Sequence, residues 1–266
     1  MTRITIGQHY PTGSVIHGID SRVKLFGVLL YVTSLLFVNH FAGYLLALLF
    51  VVAVIRASKV PLHMVISGMR PVIFMLAFAA TINIFFTPGE NVVFAFGFIQ
   101  ITAEGLRLAG LMASRLTLLV AGTSVLTLTS SPMELTDGIE TGLAPLKKLK
   151  VPVHDIAMMM TIALRFIPTL ADEVDKIIKA QKARGADFDT GNILKRAKSL
   201  IPVLVPPFVS ALKRADELAT AMDSRCYRGD EIKRTKMKQM KMTPADWLAA
   251  GVVVSVCVVM ILTRIL

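Results

Sequence analysis

Two segments of the chain end alike, each on an arginine. The first runs from Ala171-Asp172-Glu173 to Ala183-Arg184-Gly185, and the second runs from Ala215-Asp216-Glu217 to Ser224-Arg225-Cys226. If each arginine lies at the tip of a helix, its planar, permanently charged guanidinium is suited to bidentate binding of a carboxylate on another protein. The repeat therefore predicts two points at which this chain docks on partner proteins.

Two other interpretations of these motifs stay open. A lone arginine in the last turn of a helix interacts with the helix dipole by only about 0.3–1 kcal/mol and often has no further role. The second motif also departs from Ala-Arg-Gly, and aligning the two Ala-Asp-Glu starts pairs Arg184 with Arg228 instead of Arg225. Arg225 is ranked first and Arg228 is the reserve, with Gly185 and Gly229 as the expected residues just past each helix.

The arginines belong to residues 131–246, which are predicted to form a helical coupling domain on the cytoplasmic side. The first helix is expected over Met133–Leu149, with Ser131 as its N-cap and Pro132 at the first helical position. Two long helices follow, each with an apolar first half and a charged, amphipathic second half, so each begins against an apolar surface and ends in water. Their predicted bounds are Val153–Arg184, with a bend at Pro168, and Ile193–Ser224.

The rest of the chain is predicted to be a membrane bundle. Hydrophobic residues make up 54% of the 266 residues, the mean hydropathy is +0.65, and the apolar residues come in long, nearly uncharged blocks. A spanning helix needs about 20 residues, so the shorter blocks must borrow flanking residues. Val92–Ile101 is too short to span and is expected to be re-entrant or interfacial. The predicted spans, about five in number, are Leu25–Val38, Phe41–Ile55, Pro71–Phe86, Leu106–Leu128 and Trp247–Leu262.

The distribution of charge predicts the topology. Lysines and arginines precede the first block and lie between the second and third, so the amino terminus is expected inside. The predicted domains are a four-span bundle at 1–130, the cytoplasmic coupling domain at 131–246 and a final spanning helix at 247–266. The same rule accounts for the net charge of +11, and nucleic acid is not expected as a partner.

The residue patterns of an enzyme do not occur in the sequence. There is no Gly-x-x-x-x-Gly-Lys-Ser/Thr loop, so the chain is not expected to bind or hydrolyse ATP, and the energy must come from a partner. The two cysteines, Cys226 and Cys257, are far apart, and the histidines are scattered, so neither a metal site nor a cofactor is expected. The histidines are His9, His17, His40, His63 and His154.

Three other places invite a functional interpretation. Arg115 is a charge at bilayer depth that either lines a pathway or, as we favour, faces the bundle interior or an interface. Asn83 is expected to form a hydrogen bond between helices rather than to bind substrate. The run Met158, Met159 and Met160 is either core packing or an adaptable contact surface.

Four segments carry motifs beyond the arginine repeat. They are His17–Leu25 (HGIDSRVKL), Leu126–Leu135 (LTLTSSPMEL), Ile162–Pro168 (IALRFIP) and Lys179–Asp187 (KAQKARGAD). With them the chain resembles, over nearly its whole length, the transmembrane (T) components of energy-coupling factor transporters.

The resemblance implies a role and partners. In that family two short Ala-Arg-Gly-like motifs dock into grooves of two ABC-type ATPase subunits, and a separate membrane protein, the S component, captures a vitamin or transition metal. Carried over, Ala183-Arg184-Gly185 and Ser224-Arg225-Cys226 dock on the ATPases, and Met158–Met160 faces the S component. The chain would be a non-catalytic, multi-pass protein of the cell membrane without a cofactor, with ATP bound by its partners. The alternative is a self-sufficient secondary transporter or channel with a regulatory cytoplasmic domain, which should show inverted repeats that the sequence does not display.

Overall fold

The computed structural model describes residues 10, 12–88, 91–96, 99–186, 188, 192–229 and 242–263. Their regular secondary structure is mainly α-helical, with one hairpin and a 3-10 helix. They form two compact units: one takes in the described residues up to Ile139 and those from 242 onward, and the other takes in those from 140 to 229. The elements are α1 (Val15–Gly18), α2 (Ser21–Phe37), α3 (Phe41–Ser58), α4 (Leu62–Phe86), β1 (Val92–Phe96), β2 (Ile99–Thr102), α5 (Ala103–Thr129), α6 (Pro132–Gly142), the 3-10 helix (Ala144–Leu149), α7 (Val153–Ala183), α8 (Ile193–Ser224) and α9 (Pro244–Leu262).

Five helices in the described part of the chain are long and apolar enough to cross a membrane: α3, α4, α5, α7 and α9. The number agrees with the prediction, but the set differs at two helices. The predicted first span, Leu25–Val38, overlaps α2, which has 17 residues, one fewer than α3, and so is at the lower limit of length for a spanning helix. The helix α7 qualifies by length and composition because its first half is nearly all apolar, although the sequence analysis assigned it to the cytoplasmic domain and did not count it as a span.

The helix predicted over Met133–Leu149 is divided. Its start is as predicted, because the Ser131 hydroxyl accepts a hydrogen bond from Glu134 N at 3.2 Å and the Glu134 carboxylate accepts one from Ser131 N at 3.1 Å. The α-helix then stops at Gly142 and a 3-10 helix continues to Leu149. Pro145 explains the break, since it has no N–H to donate and its ring clashes with the carbonyl four residues earlier.

The apolar segment Val92–Ile101 is an antiparallel hairpin. Phe96 pairs with Ile99 and Phe94 with Ile101, and the register shifts between Val92 and Phe94. The sequence interpretation noted the length of this segment but not its strands. Its β-branched and aromatic residues favour a pleated pair over a helix.

The core of the first unit is built around close helix contacts. Tyr31 is 2% exposed, and its hydroxyl donates to Leu118 O at 3.1 Å. A Cβ at Gly122 would lie 2.4 Å from Cε1 of Tyr31, so only glycine lets the tyrosine ring lie against α5.

The motif His17–Leu25 joins the start of α2 to the start of α9. Asp20 caps α2 by accepting from Arg22 N at 3.0 Å, and its own backbone N–H donates to Asp246 Oδ1 at 2.8 Å. Asp246, 2% exposed, also accepts from Thr243 N at 2.7 Å within a capping box. Residues that are 226 positions apart are thus held together at this point.

The same motif also contacts the motif Leu126–Leu135. The ammonium of Lys24 donates to the carbonyl oxygens of His17 and Thr129, both at 3.1 Å. Burial lowers the pKa of Lys24, and three nearby carboxylates oppose that shift. These carboxylates belong to Glu134, Asp20 and Asp246.

Candidate functional site

The helices α7 and α8 form an antiparallel pair. Glu173, in the second half of α7, forms an ion pair with Arg214 of α8 and accepts from the Ser210 hydroxyl at 3.4 Å. Tyr227, just past the end of α8, donates to Asp155 Oδ1 in the first turn of α7 at 3.1 Å. Later residues of the α8 segment thus contact earlier residues of α7, which means that the two helices run in opposite directions.

This pairing places the two arginine motifs far apart. Arg184 is the C-cap of α7, at one end of the pair, whereas Arg225 follows α8, two residues before the Tyr227 that contacts Asp155 at the opposite end of α7. The 31 residues of α7 correspond to about 46 Å of helix. The two motifs are thus separated by about the length of a long helix.

The first tip, Ala183-Arg184-Gly185, has a helix-terminating geometry. Gly185 has φ +86°, its N–H donates to Lys182 O at 3.0 Å, and Ala186 N donates to Gln181 O at 2.9 Å. This pair of hydrogen bonds is a Schellman motif with Gly185 at the C′ position, as the sequence predicts.

The second tip, Ser224-Arg225-Cys226, has the same backbone arrangement. Cys226 N donates to Asp223 O at 2.9 Å, Tyr227 N donates to Met222 O at 3.0 Å, and Cys226 has φ +54°. Cys226, and not Gly229 as predicted, is therefore the left-handed residue that ends α8. Gly229 does have φ +60°, but it lies three residues further along.

The matching hydrogen bonds relate the two motifs residue by residue. Cys226 occupies the place of Gly185, so Arg225 occupies the place of Arg184 and Ser224 that of Ala183. Arg228 lies beyond the terminating turn. In backbone geometry Arg225, and not Arg228, is the equivalent of Arg184, and its ranking as the second docking arginine stays a prediction.

All six residues of the two tips are exposed. In the described part of the chain no carboxylate forms an ion pair with Arg184 or Arg225, and the Ser224 hydroxyl bonds back to Thr220 O at 2.6 Å. Both arginines are therefore accessible at the surface of the described residues. That arrangement leaves both able to bind a carboxylate on another protein.

The interior of the pair combines large and small residues. Three large side chains four residues apart on α7 and three alanines four residues apart on α8, together with Leu218 and Met222 of α8, line a cavity of about 270 Å³. The glutamates of the two Ala-Asp-Glu motifs have different environments: Glu173 accepts a hydrogen bond from Arg214 of α8, whereas Glu217 is exposed. The large residues are Ile162, Phe166 and Leu170, and the alanines are Ala211, Ala215 and Ala219.

The methionine run lies near the start of α7. Met159 is 60% exposed, while Met158 and Met160 are half-buried. Within the pair, α8 exposes a further apolar face that includes Leu204 and Phe208. The assignment of Met158–Met160 to a partner stays a prediction.

Arg115 and Asn83 have structural partners. Arg115 Nε donates to the Tyr44 hydroxyl at 2.9 Å, and its Nη2 donates to Val38 O at 2.7 Å and to Asn39 Oδ1 at 3.2 Å. The arginine therefore caps the end of α2, which agrees with the favoured interpretation. Asn83 was expected to bond another helix, but its amide donates to Ala79 O of its own helix at 2.8 Å.

Among the residues that the structure describes, no group of three or more His, Cys, Asp or Glu side chains is placed to hold a metal ion. His154 lies 3.1 Å from Glu140, and His17 bonds the Ser14 hydroxyl at 2.7 Å. His9 lies outside the described residues.

Sequence reasoning missed the contacts Glu173–Arg214 and Tyr227–Asp155, because nothing in either local pattern signals a partner far away in the chain.

Comparisons with known proteins show the family to which the chain belongs. Residues 12–237 match the family described as Cobalt transport protein (CbiQ). The chain is 53% identical over 251 residues to the energy-coupling factor transporter transmembrane protein EcfT of Ruminiclostridium cellulolyticum, over 94% of this chain and 93% of that one. Identity to the proteins of the same name is 49% over 263 residues in Clostridium kluyveri (98% and 97% covered) and 43% over 262 residues in Lactococcus lactis (98% of each).

The apolar helices and these matches define the class first: this is a multi-pass protein of the plasma membrane that takes part in transport. More narrowly, the chain belongs to the CbiQ family and is a transmembrane component of energy-coupling factor transporters, as its motifs predicted.

Proposed function

We propose that this chain is the non-catalytic coupling subunit of an ATP-driven importer, and that it links two ABC-type ATPases to a separate S component that captures a vitamin or transition metal. One observation carries the proposal: two exposed arginines occupy equivalent helix-terminating positions at opposite ends of one helix pair. The chain needs no cofactor in this role, since ATP is bound by the partners.

The separation of the tips supports two docking sites rather than one. A groove that accepts a helix end is only about as wide as a helix, about 10–12 Å, whereas the tips are separated by about the length of α7. Each arginine therefore meets its own partner surface. A pair of similar ATPase subunits would present two similar grooves, which fits the shared backbone geometry of the tips.

The connection between the tips supports transmission of movement. The ion pair between Glu173 and Arg214 and the bond from Tyr227 to Asp155 tie the two helices at two levels. When nucleotide binding changes the spacing of the ATPases, a tied pair moves as a unit rather than bending at one tip. The motion is thereby delivered to the apolar halves of α7 and α8.

The apolar halves are the proposed contact surface for the S component. Met159, Leu204 and Phe208 are each at least 60% exposed, although all three are apolar. Methionine adapts its shape to different partners, which suits a subunit that serves more than one substrate protein.

Purification of the tagged full-length chain from its own cells tests the proposal. We expect two ATPase subunits and an S component to be recovered with it, and uptake in proteoliposomes to require both the ATPases and ATP. Uptake by the chain alone, driven by an ion gradient, would instead establish the secondary transporter.

A further inference from the structure

A short basic segment of the 140–229 unit combines exposed leucines with lysines. In the 3-10 helix Ala144–Leu149, Leu149 is 76% exposed and Leu146 is 38% exposed. No acidic residue occurs in residues 141–153. We call residues 144–150 the lysine–leucine turn. Its three lysines, all exposed, are Lys147, Lys148 and Lys150.

Hydrogen bonds hold the lysine–leucine turn in one conformation. Lys150 N donates to Lys147 O at 3.0 Å, and Val151 N donates to Leu146 O at 3.4 Å. Lys150 has φ +61°, in the left-handed region that favours glycine. Lys150, beside Leu149, thus carries a charged side chain at a backbone position where glycine would be less strained.

The same local structure occurs where two candidate membrane helices meet. The helix α3 ends at the left-handed Lys59, φ +55°, and Lys59-Val60-Pro61 leads into α4 at the exposed Leu62. Because α3 and α4 can both span, the turn between them lies at a membrane surface. The segment Lys150-Val151-Pro152 repeats the left-handed lysine and the Val-Pro step at the start of α7, where the next residue is the buried Val153 and the exposed leucine, Leu149, comes before the lysine.

Chain connectivity keeps the lysine–leucine turn near the bilayer. The candidate span α5 ends at Thr129, and the 3-10 helix begins at Ala144. The helix α6, between them, has 11 residues and is about 17 Å long. A segment tethered this closely meets the membrane surface at high effective concentration.

From these observations we propose that the lysine–leucine turn is an interfacial anchor that binds anionic phospholipid. Leu149 enters the boundary between headgroups and acyl chains, and the surrounding lysines remain at the level of the lipid phosphates. Each lysine within a Debye length of an anionic surface strengthens the contact by about fivefold. The anchor holds the 140–229 unit against the bilayer through a contact separate from the arginine tips.

A single-tryptophan experiment on the full-length chain tests the anchor. Trp247 is the only tryptophan, so Trp247→Phe combined with Leu149→Trp leaves one fluorescent reporter. The protein is reconstituted into phosphatidylcholine vesicles with or without phosphatidylglycerol, using brominated acyl chains as quencher. We expect blue-shifted emission that is quenched by brominated lipid in the anionic vesicles.

Charge removal supplies the matched comparison. Replacing Lys148 and Lys150 with Gln should lower the ratio of membrane-inserted to free turn about 25-fold, as two fivefold losses. Replacing the exposed Lys176 and Lys179 of α7 with Gln removes the same charge from the same unit and should leave the ratio unchanged.

A second measurement avoids the added tryptophan, which itself favours membranes. With native Leu149, Lys148 should be acylated less by a water-soluble reagent in anionic than in neutral vesicles, as read by mass spectrometry. Equal labelling of Lys148 in anionic and neutral vesicles would overturn the proposal. So would fluorescence emission from Leu149→Trp that matches the emission from Ala180→Trp in the exposed part of α7. So would burial of Trp at 149 only when partner proteins are added, irrespective of lipid, because that would assign the turn to a protein interface.

Discussion

The two tips of the α7–α8 pair share a backbone geometry but are held in different ways. At the first tip a glycine takes the left-handed position, whereas at the second tip Cys226 takes it. The residue after Cys226 is bonded to Asp155 of the other helix. The second tip thus has a tertiary contact that supports a conformation that is unfavourable for a residue with a Cβ.

The comparison shows that one docking geometry can be built from different residues. Left-handed backbone costs a residue other than glycine about 1–2 kcal/mol. A hydrogen bond to a charged group contributes about 1.5–3 kcal/mol and can offset that strain. The departure of the second motif from Ala-Arg-Gly is therefore consistent with the same role for Arg225.

The largest effect is expected when both arginines are removed. Arg184→Ala or Arg225→Ala alone leaves a partner carboxylate buried and unpaired, at a cost of about 2–5 kcal/mol, so binding weakens and transport falls. The double variant should abolish association, because each contact benefits from the effective concentration that the other provides. Recovery of the ATPases in pull-downs measures the binding of the single variants and of the double variant. Unchanged recovery with the double variant would exclude docking by these residues.

Lysine at either tip should restore little of the lost binding. A compact ammonium keeps the charge but cannot reproduce the planar fork of donors. We expect Arg184→Lys and Arg225→Lys to resemble the alanine variants in ATPase recovery. Near-complete rescue would mean that the arginines act only on the helix dipole, which contributes less than about 1 kcal/mol.

An intermediate effect is expected when the support of the second tip is removed. Tyr227→Phe deletes the bond to Asp155 and should weaken ATPase binding by about 1 kcal/mol, or roughly fivefold. The loss should disappear in an Arg225→Ala background and persist in an Arg184→Ala background, as a double-mutant cycle can measure. Tyr10→Phe, in the other unit, is the control. An equal loss in both backgrounds would show a general effect on stability.

A glycine exchange should act in opposite directions at the two tips. Gly185→Ala places a Cβ at φ +86° and should destabilise the first tip by about 1 kcal/mol, whereas Cys226→Gly should relieve strain at the second by a few tenths. Thermal unfolding of the purified chain in detergent compares the two variants. The same sign for both would contradict the equivalence of Gly185 and Cys226.

The smallest effect is expected at Arg228. It is exposed but lies beyond the turn that terminates α8, so Arg228→Ala should change ATPase recovery by less than about 0.5 kcal/mol. A loss as large as that of Arg225→Ala would restore the alternative register, in which Arg228 corresponds to Arg184.

Sequence reasoning succeeded where the signal is local. The cap at Ser131 and the bounds of α7 and α8 follow from capping residues and hydrophobic periodicity, which depend on neighbours in the chain. It failed at Pro145, where a break was overlooked. It also failed at Val92–Ile101, because short apolar stretches do not distinguish strand from helix by periodicity.

The sequence by itself determined that the chain is an apolar helical protein with two long, arginine-ended helices, because composition, periodicity and caps are properties of contiguous residues. Only the tertiary structure decided that the arginines lie at opposite ends of an antiparallel pair. That relation rests on the ion pair between Glu173 and Arg214 and on Tyr227 meeting Asp155, whereas the match of Arg225 to Arg184 rests on local backbone hydrogen bonds at the two helix ends. Contacts between residues 72 positions apart leave no periodic signal in the chain, so they become visible only once the helices are paired in space.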